Sequence, residues 1–196
     1  LLTLTGDLAR LMDMLEIQSA SLVGFSFGAA LALKYAIRFP QRVNKLALIE
    51  TPYLTEELDL SFLENNSYSK EALDRYRKTL PEKMQKVLAG GKRQIRRHDD
   101  MFRYLFDETT LIADMANEKD LAEEDLTRMN KATLLLYGES SVHTPMGYRL
   151  HRLLPHAALI MAKGGHDLPI TSPQEIRKYL VQFFAIEARK YIETVL

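Results

Sequence analysis

The amino-acid sequence predicts an α/β protein with a mainly parallel sheet flanked by helices. Short aliphatic runs of strand length alternate with longer segments in which apolar residues recur at helical spacing, which is typical of parallel sheets covered by helices on both faces. A glycine-bordered serine directly follows the first run, where a strand would turn into a helix. The strand-like runs are residues 21–25, 43–49, 132–138 and 157–162.

The first quarter of the chain contains two predicted helices. The spacing of apolar residues over residues 7–17 indicates an amphipathic helix before the first strand, with a stripe of Leu8, Leu11, Met12 and Leu15. A second helix follows the serine over residues 28–39. It ends there because Pro40 disfavours helical geometry in the residue before it.

The strand-like runs disappear between residues 53 and 128. Charged segments with helical spacing replace them, so this stretch is predicted to be a helical insertion into one core made of residues 1–52 and 129–196. The insertion carries a basic patch, which we interpret as a solvated helix face rather than an anion-binding surface. The patch consists of Lys92, Arg93, Arg96, Arg97 and His98.

Two further helices are predicted after the insertion. One lies around residues 147–154, between the third and fourth strands. The other begins at Pro173, since proline suits the first position of a helix. Apolar residues at helical spacing predict a buried stripe along this last helix, formed by Ile176, Tyr179, Leu180, Phe183 and Phe184.

The segment Gly24-Phe25-Ser26-Phe27-Gly28 has the G-x-S-x-G spacing that places a nucleophilic serine on a tight turn between a buried strand and a helix. We expect Gly24 and Gly28 to be required as glycines, because a Cβ atom at either position would collide where strand and helix nearly touch. The Phe27 N–H, at the helix start, would then point to where an oxyanion forms. The alternative for so short a pattern is a glycine-rich turn with a solvated serine.

The composition of the 196-residue chain narrows the classes of function. The length suits one domain, and 26 Lys and Arg balanced by 26 Asp and Glu give no indication of a nucleic-acid surface. The absence of Cys excludes thiolate metal sites, and no His pair has metal-binding spacing around a Glu. No dinucleotide or P-loop pattern is present, so no cofactor is implied. No apolar run is long enough to span a bilayer.

His166 is the best candidate for a general base that activates Ser26. It follows the last predicted strand after a Gly-Gly turn, and ligands of parallel sheets bind beyond the carboxyl ends of the strands. Ser26, Glu50, the 138–145 loop and His166 all fall at these ends. We therefore expect the four to lie along one edge of the sheet.

Three stretches of the chain resemble the α/β-hydrolase fold family. They are L-V-G-F-S-F-G-A-A-L-A-L-K-Y-A-I-R-F-P-Q-R-V-N-K-L-A-L-I-E, L-L-L-Y-G-E-S-S-V-H-T-P and K-G-G-H-D, and the likeness covers nearly the whole chain. The resemblance implies catalytic residues in the order Ser, acid, His, which Ser26 and His166 keep. It also implies that residues 53–128 form a cap or lid over the active site.

The acid is missing from its usual place. The family commonly carries Asp four positions before the Pro in the loop after the third of these strands, and here Ser141 holds that position. Glu50 is the favoured replacement, because it ends the second strand, where some family members carry their acid. Glu139 would point the other way along the strand end, and Asp167 adjoins His166 too closely in sequence.

The family's second oxyanion donor comes from an H-G-type loop in an early strand–helix unit, and this chain has no such loop before Ser21. A sheet of only the four predicted strands would leave an unpaired apolar edge. We therefore expect the chain to be the C-terminal portion of the fold, with further residues upstream of Leu1.

Together these features predict a serine hydrolase of carboxylic esters or related acyl compounds that works through an acyl-enzyme. Ser26, His166 and Glu50 would form its catalytic triad, with the Phe27 N–H in the oxyanion hole. The alternative is a non-catalytic ligand-binding or scaffolding member of the fold. The expected partner is a small hydrophobic acyl or ester substrate rather than a nucleic acid, and no membrane span is expected. The expected location is cytoplasmic, and homodimer formation is left open.

Overall fold

A computed structural model describes residues 2–52 and 121–185, together with Lys78, Tyr104 and residues 108–110. The chain divides into two compact units, one joining Leu1–Leu54 with Asp120–Leu196 and the other made of Thr55–Lys119. The predicted helices of the insertion and their basic patch lie outside the described residues. The cap role of residues 53–128 therefore stays a prediction.

The first unit alternates strands and helices. In chain order its elements are α1 (Leu2–Met14), β1 (Ala20–Phe25), α2 (Phe27–Arg38), a 3₁₀ turn (Pro40–Arg42), β2 (Val43–Ile49), α3 (Glu123–Thr127), β3 (Thr133–Gly138), α4 (Thr144–Leu153), β4 (Ala157–Ala162), α5 (Leu168–Thr171) and α6 (Pro173–Ala185). All four predicted strands are present, and β2 and β4 have the predicted bounds. The four-residue helix α5 was not predicted.

The four strands form one sheet in the order β1-β2-β3-β4, and every neighbouring pair is parallel. The pairs Phe25–Ile49 and Gly138–Ala162 stand in register, so the strands end at one edge. The predicted parallel sheet flanked by helices is confirmed. Its carboxyl edge collects the residues that follow each strand.

Side chains of β2 and β3 alternate between two apolar layers, as the two-residue period of a strand requires. Leu46, Leu48 and Leu135 pack with α1, α2, α3 and α4 on one face. On the other face, Ile49 and Leu134 pack with α5 and α6. Strands buried on both faces explain why these runs read as nearly continuous aliphatic sequence. The predicted stripe of α6 faces this second layer. Two of its members, Ile176 and Phe183, are buried, and the other three are partly buried against the layer: Tyr179, Leu180 and Phe184.

Helix α1 differs from its prediction. It begins and ends earlier than residues 7–17, so its inward face is formed by Thr5, Leu8 and Met12. Leu11 is 50% exposed because it lies on the flank of that face, and Leu15 is 59% exposed because the helix ends before it. No described helix has the length and apolar character that crossing a membrane would require.

Candidate active site

Ser26 occupies the turn between β1 and α2 in a strained conformation. Its φ of 52° and ψ of −122° lie outside the regions that non-glycine residues favour. The Ser26 N–H donates to the Ile49 carbonyl at 2.9 Å and so continues the pairing with β2. The Ser26 carbonyl accepts from the N–H groups of Ala29 and Ala30, so the helix starts immediately. The turn is therefore as tight as the G-x-S-x-G pattern predicts.

Only one of the two glycines in this pattern is required by close packing. A Cβ on Gly24 would lie 2.3 Å from the Gly28 carbonyl oxygen and 2.5 Å from Cα of Ala29, which no side chain tolerates. A Cβ on Gly28 would meet no described atom within 4 Å. The expectation for Gly28 is therefore wrong, because it is the backbone oxygen of Gly28, not its Cα hydrogen, that approaches the strand.

Helix α2 begins at Phe27 and directs its first N–H groups toward the serine turn. The first N–H groups of a helix have no acceptor within the helix. Those of Ala29 and Ala30 are used by the Ser26 carbonyl, which leaves the N–H groups of Phe27 and Gly28. Their partial positive charge suits an anion beside Ser26. Phe27 stays the predicted oxyanion donor.

Glu50 places a fully buried carboxylate at the end of β2. Its N–H donates to the Leu136 carbonyl at 2.9 Å, and its φ of 54° turns the side chain out of the strand direction. One carboxylate oxygen, Oε1, accepts from the Gly138 N–H. The other, Oε2, accepts from the Ser141 hydroxyl and lies 3.3 Å from Nδ1 of His166. The buried carboxylate is thus surrounded by donors, as burial of a charge requires.

Two aromatic rings hold the imidazole of His166. The Phe25 ring stacks on it with centroids 5.1 Å apart, and the His143 ring meets it edge-on at 4.7 Å. Since Nδ1 of His166 faces Glu50, the other ring nitrogen, Nε2, points away from Glu50. Phe25 immediately precedes Ser26, so the stacking brings the imidazole to the serine turn.

The loops after β3 and β4 approach closely through glycines. A Cβ on Gly138 would lie 2.4 Å from the Gly164 carbonyl oxygen and 2.7 Å from that of Gly165. The same Gly164 oxygen accepts from both the N–H and the hydroxyl of Ser140. The loop that carries His166 is therefore fixed against the loop that carries Ser141.

His143 is the site's second imidazole. Burial lowers its pKa from the ordinary 6.5, the neighbouring His166 lowers it further, and Glu50 opposes the shift. The neutral form of His143 is therefore favoured in the folded protein. This is the form that least opposes positive charge on His166.

Of the three carboxylates considered from the sequence, the structure brings Glu50 to His166. Glu139 is exposed, and its N–H continues the pairing with Ala162. Asp167 uses its carbonyl to accept from the first turn of α5. Within the described ranges, no three His, Asp or Glu side chains are grouped as metal ligands would be.

Sequence reasoning missed three contributors to the site: Phe25, Gly138 and His143. Phe25 is one of the two variable positions of the G-x-S-x-G pattern, and nothing in that pattern reports a ring stack. Gly138 is the last residue of a predicted strand, and a glycine in a strand is a usable sequence signal for close approach of another backbone. His143 lies two residues after the usual acid position and resembled a surface histidine.

The sequence model of the alpha/beta hydrolase fold family matches residues 1–173 of this chain. The chain belongs to this family. The parallel sheet, the strained serine and the histidine after the last strand are consistent with the match, which extends over most of the chain.

Two sequence relatives and one solved structure illustrate what this chain is similar to. An uncharacterized hydrolase, YugF, of Bacillus subtilis is 26% identical over 201 residues, covering 88% of this chain and 68% of that protein. The 2-hydroxy-6-oxo-2,4-heptadienoate hydrolase of Pseudomonas putida is 49% identical over 51 residues, 26% of this chain and 18% of that protein. The enol-lactonase of Burkholderia xenovorans has a similar fold, with a TM-score of 0.72 and 18% identity over 94% of this chain and 72% of the enzyme.

Proposed function

We propose that this chain carries the active site of a serine hydrolase acting on carboxylic esters or related acyl compounds. The observation that carries the proposal is the contact between the buried Glu50 carboxylate and Nδ1 of His166, beside the strained turn of Ser26. Nucleophile, base and orienting acid are the three groups that acyl transfer by a serine requires.

In the proposed reaction, Ser26 Oγ attacks the carbonyl carbon while Nε2 of His166 takes its proton. The carbonyl oxygen becomes an oxyanion that accepts from the Phe27 N–H. The carbon–oxygen bond to the alcohol then breaks, His166 gives its proton to the departing alcohol, and the acyl group stays on Ser26. Water then attacks the acyl carbon while His166 takes a proton from it. The bond between that carbon and Ser26 Oγ breaks, the acid leaves with the oxygen from water, and His166 returns the proton to Oγ.

Glu50 has two roles in this proposal. It accepts from Nδ1–H of His166, which selects the tautomer with a free Nε2. Its negative charge also stabilises the imidazolium that forms at each step. Two sequence observations favoured a non-catalytic protein: Ser141 at the usual acid position and the missing H-G-type loop. The carboxylate that faces His166 counts against the first of them.

The related proteins narrow the substrates to be tested. One relative is named for hydrolysis of 2-hydroxy-6-oxo-2,4-heptadienoate and a structural neighbour is named an enol-lactonase. We propose small acyl esters as the main class, with the oxo acid and enol lactones as the next to assay. All of these offer a carbonyl carbon to the same nucleophile.

A fluorophosphonate probe tests the proposal, because it modifies an activated serine irrespective of the natural acyl group. We expect the full-length protein to be labelled covalently at Ser26 and to hydrolyse short p-nitrophenyl esters. We expect the labelling to be abolished in Ser26→Ala. Ser140→Ala is the matched control, since it removes a nearby exposed serine. Absence of both labelling and hydrolysis would reject the enzyme and favour the non-catalytic alternative.

A further inference from the structure

The Ser141 hydroxyl lies between two groups that fix its direction. Its Oγ accepts from the His143 N–H at 3.1 Å, and its own proton is donated to Oε2 of Glu50. A serine hydroxyl has one proton to donate. Because the backbone amide uses the oxygen as an acceptor, that proton is directed at Glu50.

The oxygen that Ser141 contacts is the one that faces His166. Oε2 of Glu50 is 3.3 Å from Nδ1 of His166, while Oε1 is held by the Gly138 N–H. The two donors from the end of β3 thus hold one carboxylate oxygen each. Together they define the plane of the carboxylate, and with it the direction in which Oε2 meets the imidazole.

Glutamate needs such support more than aspartate does. Its carboxylate is one methylene further from the backbone, and each additional freely rotating bond adds conformations in which Oε2 would leave His166. Glu50 approaches from β2, whereas the support comes from the loop after β3. Only 8% of Ser141 is exposed, so water is a poor substitute for its hydroxyl.

We infer that Ser141 is a positioning residue for Glu50, so that a carboxylate from the second strand and a hydroxyl from the third strand's loop together orient His166. The inference rests on the proposed function, because it assigns Ser141 a role in the same reaction. Ser141 acts through Glu50, and no contact with substrate is required of it. A carboxylate at position 141 would instead place two like charges side by side.

The test compares Ser141→Ala with Ser21→Ala in the full-length protein. Both remove one serine hydroxyl, and Ser21 is exposed near the start of β1, at the end of the strand away from the site. Hydrogen bonds to charged groups change equilibria by about 10- to 100-fold, so we expect kcat for a p-nitrophenyl ester to fall by about that factor in Ser141→Ala. We expect KM to change less than about twofold, and Ser21→Ala to keep the wild-type kcat.

A second measurement does not depend on catalysis. The Nδ1–H proton of His166, observed by NMR of histidine-labelled protein, reports its hydrogen bond to Glu50. We expect its low-field resonance to be lost in Glu50→Gln, and shifted and broadened in Ser141→Ala but not in Ser21→Ala. Wild-type kcat together with an unchanged resonance in Ser141→Ala would overturn the inference. An inactive wild type would reject the proposed function, while the resonance would still decide whether Ser141 positions Glu50.

Discussion

Oε2 of Glu50 lies 3.3 Å from Nδ1 of His166, although 116 positions separate the two residues in sequence. Glu50 follows β2 and His166 follows β4, so the contact passes over the end of β3. The last residue of β3, Gly138, allows this because its missing Cβ lets the Gly164–Gly165 turn approach. The carboxylate that faces His166 is thus supplied by one strand and supported by the next.

The two glycines of the G-x-S-x-G pattern are predicted to respond differently to alanine. Gly24→Ala forces a Cβ into backbone atoms of α2 at 2.3 Å, so we expect a loss of about 3 kcal/mol or more in the free energy of unfolding. Gly28→Ala adds a helix-favouring residue with no described clash, so we expect no loss and a gain of up to about 1 kcal/mol. Urea unfolding of both variants measures the difference, and equal losses would contradict the account of the turn.

The strained backbone of Ser26 predicts a difference in stability between two variants that lack its hydroxyl. Alanine keeps the unfavourable φ of 52°, whereas glycine adopts it without a steric penalty. Because glycine also increases the entropy of the unfolded chain, we expect Ser26→Gly to be only about 1 kcal/mol more stable than Ser26→Ala. Thermal unfolding at one pH compares them. A Ser26→Gly variant no more stable than Ser26→Ala would show that the turn stores no strain.

The lowered pKa of His143 predicts a loss of stability in acid. As pH falls through the ordinary value of 6.5, the unfolded chain takes up a proton that the folded site, with its lower pKa, does not yet accept. Stability therefore falls as pH decreases toward the folded pKa. We expect His143→Gln to lose less stability than wild type between pH 7.5 and 5.5, measured by urea unfolding. His156→Gln, which removes an exposed imidazole outside the site, should follow the wild type; a His143→Gln profile like wild type would contradict the assignment.

The placement of Ser141 predicts that the acid can be moved. In Glu50→Gln/Ser141→Asp the carboxylate that replaces Glu50 beside His166 would come from the loop after β3, and the like-charge conflict with Glu50 would be absent. We expect the double variant to hydrolyse p-nitrophenyl esters at least about tenfold faster than Glu50→Gln alone. A rate no higher than that of Glu50→Gln would show that position 141 does not face the imidazole.

The fold was largely predictable because its signals are local. Each strand is a short, mostly apolar run, and in β2 and β3 burial on both faces makes that signal nearly continuous. The first helix was misplaced because a chain of leucines at helical spacing extends past Met14, while the inward face includes the polar Thr5. The spacing of apolar residues cannot reveal that a threonine is buried.

The candidate site was predictable in its residue types but not in its contacts. The strand ends predicted that Ser26, Glu50 and His166 would share one edge, because parallel strands end together. The stacking of Phe25, the edge contact of His143 and the hydroxyl of Ser141 depend on loop conformations that no sequence pattern encodes. The same limit applies to Gly28, which the pattern contains although packing against described residues does not require it.

The rate at which a fluorophosphonate modifies Ser26 in Glu50→Gln, relative to wild type and to Glu139→Gln, tests the central claim most directly. Replacing the orienting acid by its amide leaves the shape of the side chain and removes the charge, so we expect labelling to slow by about 10³-fold or more. Glu139→Gln, which alters an exposed carboxylate of the same edge, should label at the wild-type rate. Wild-type labelling of Glu50→Gln, with slow labelling of Glu139→Gln, would contradict the assignment of Glu50 as the acid.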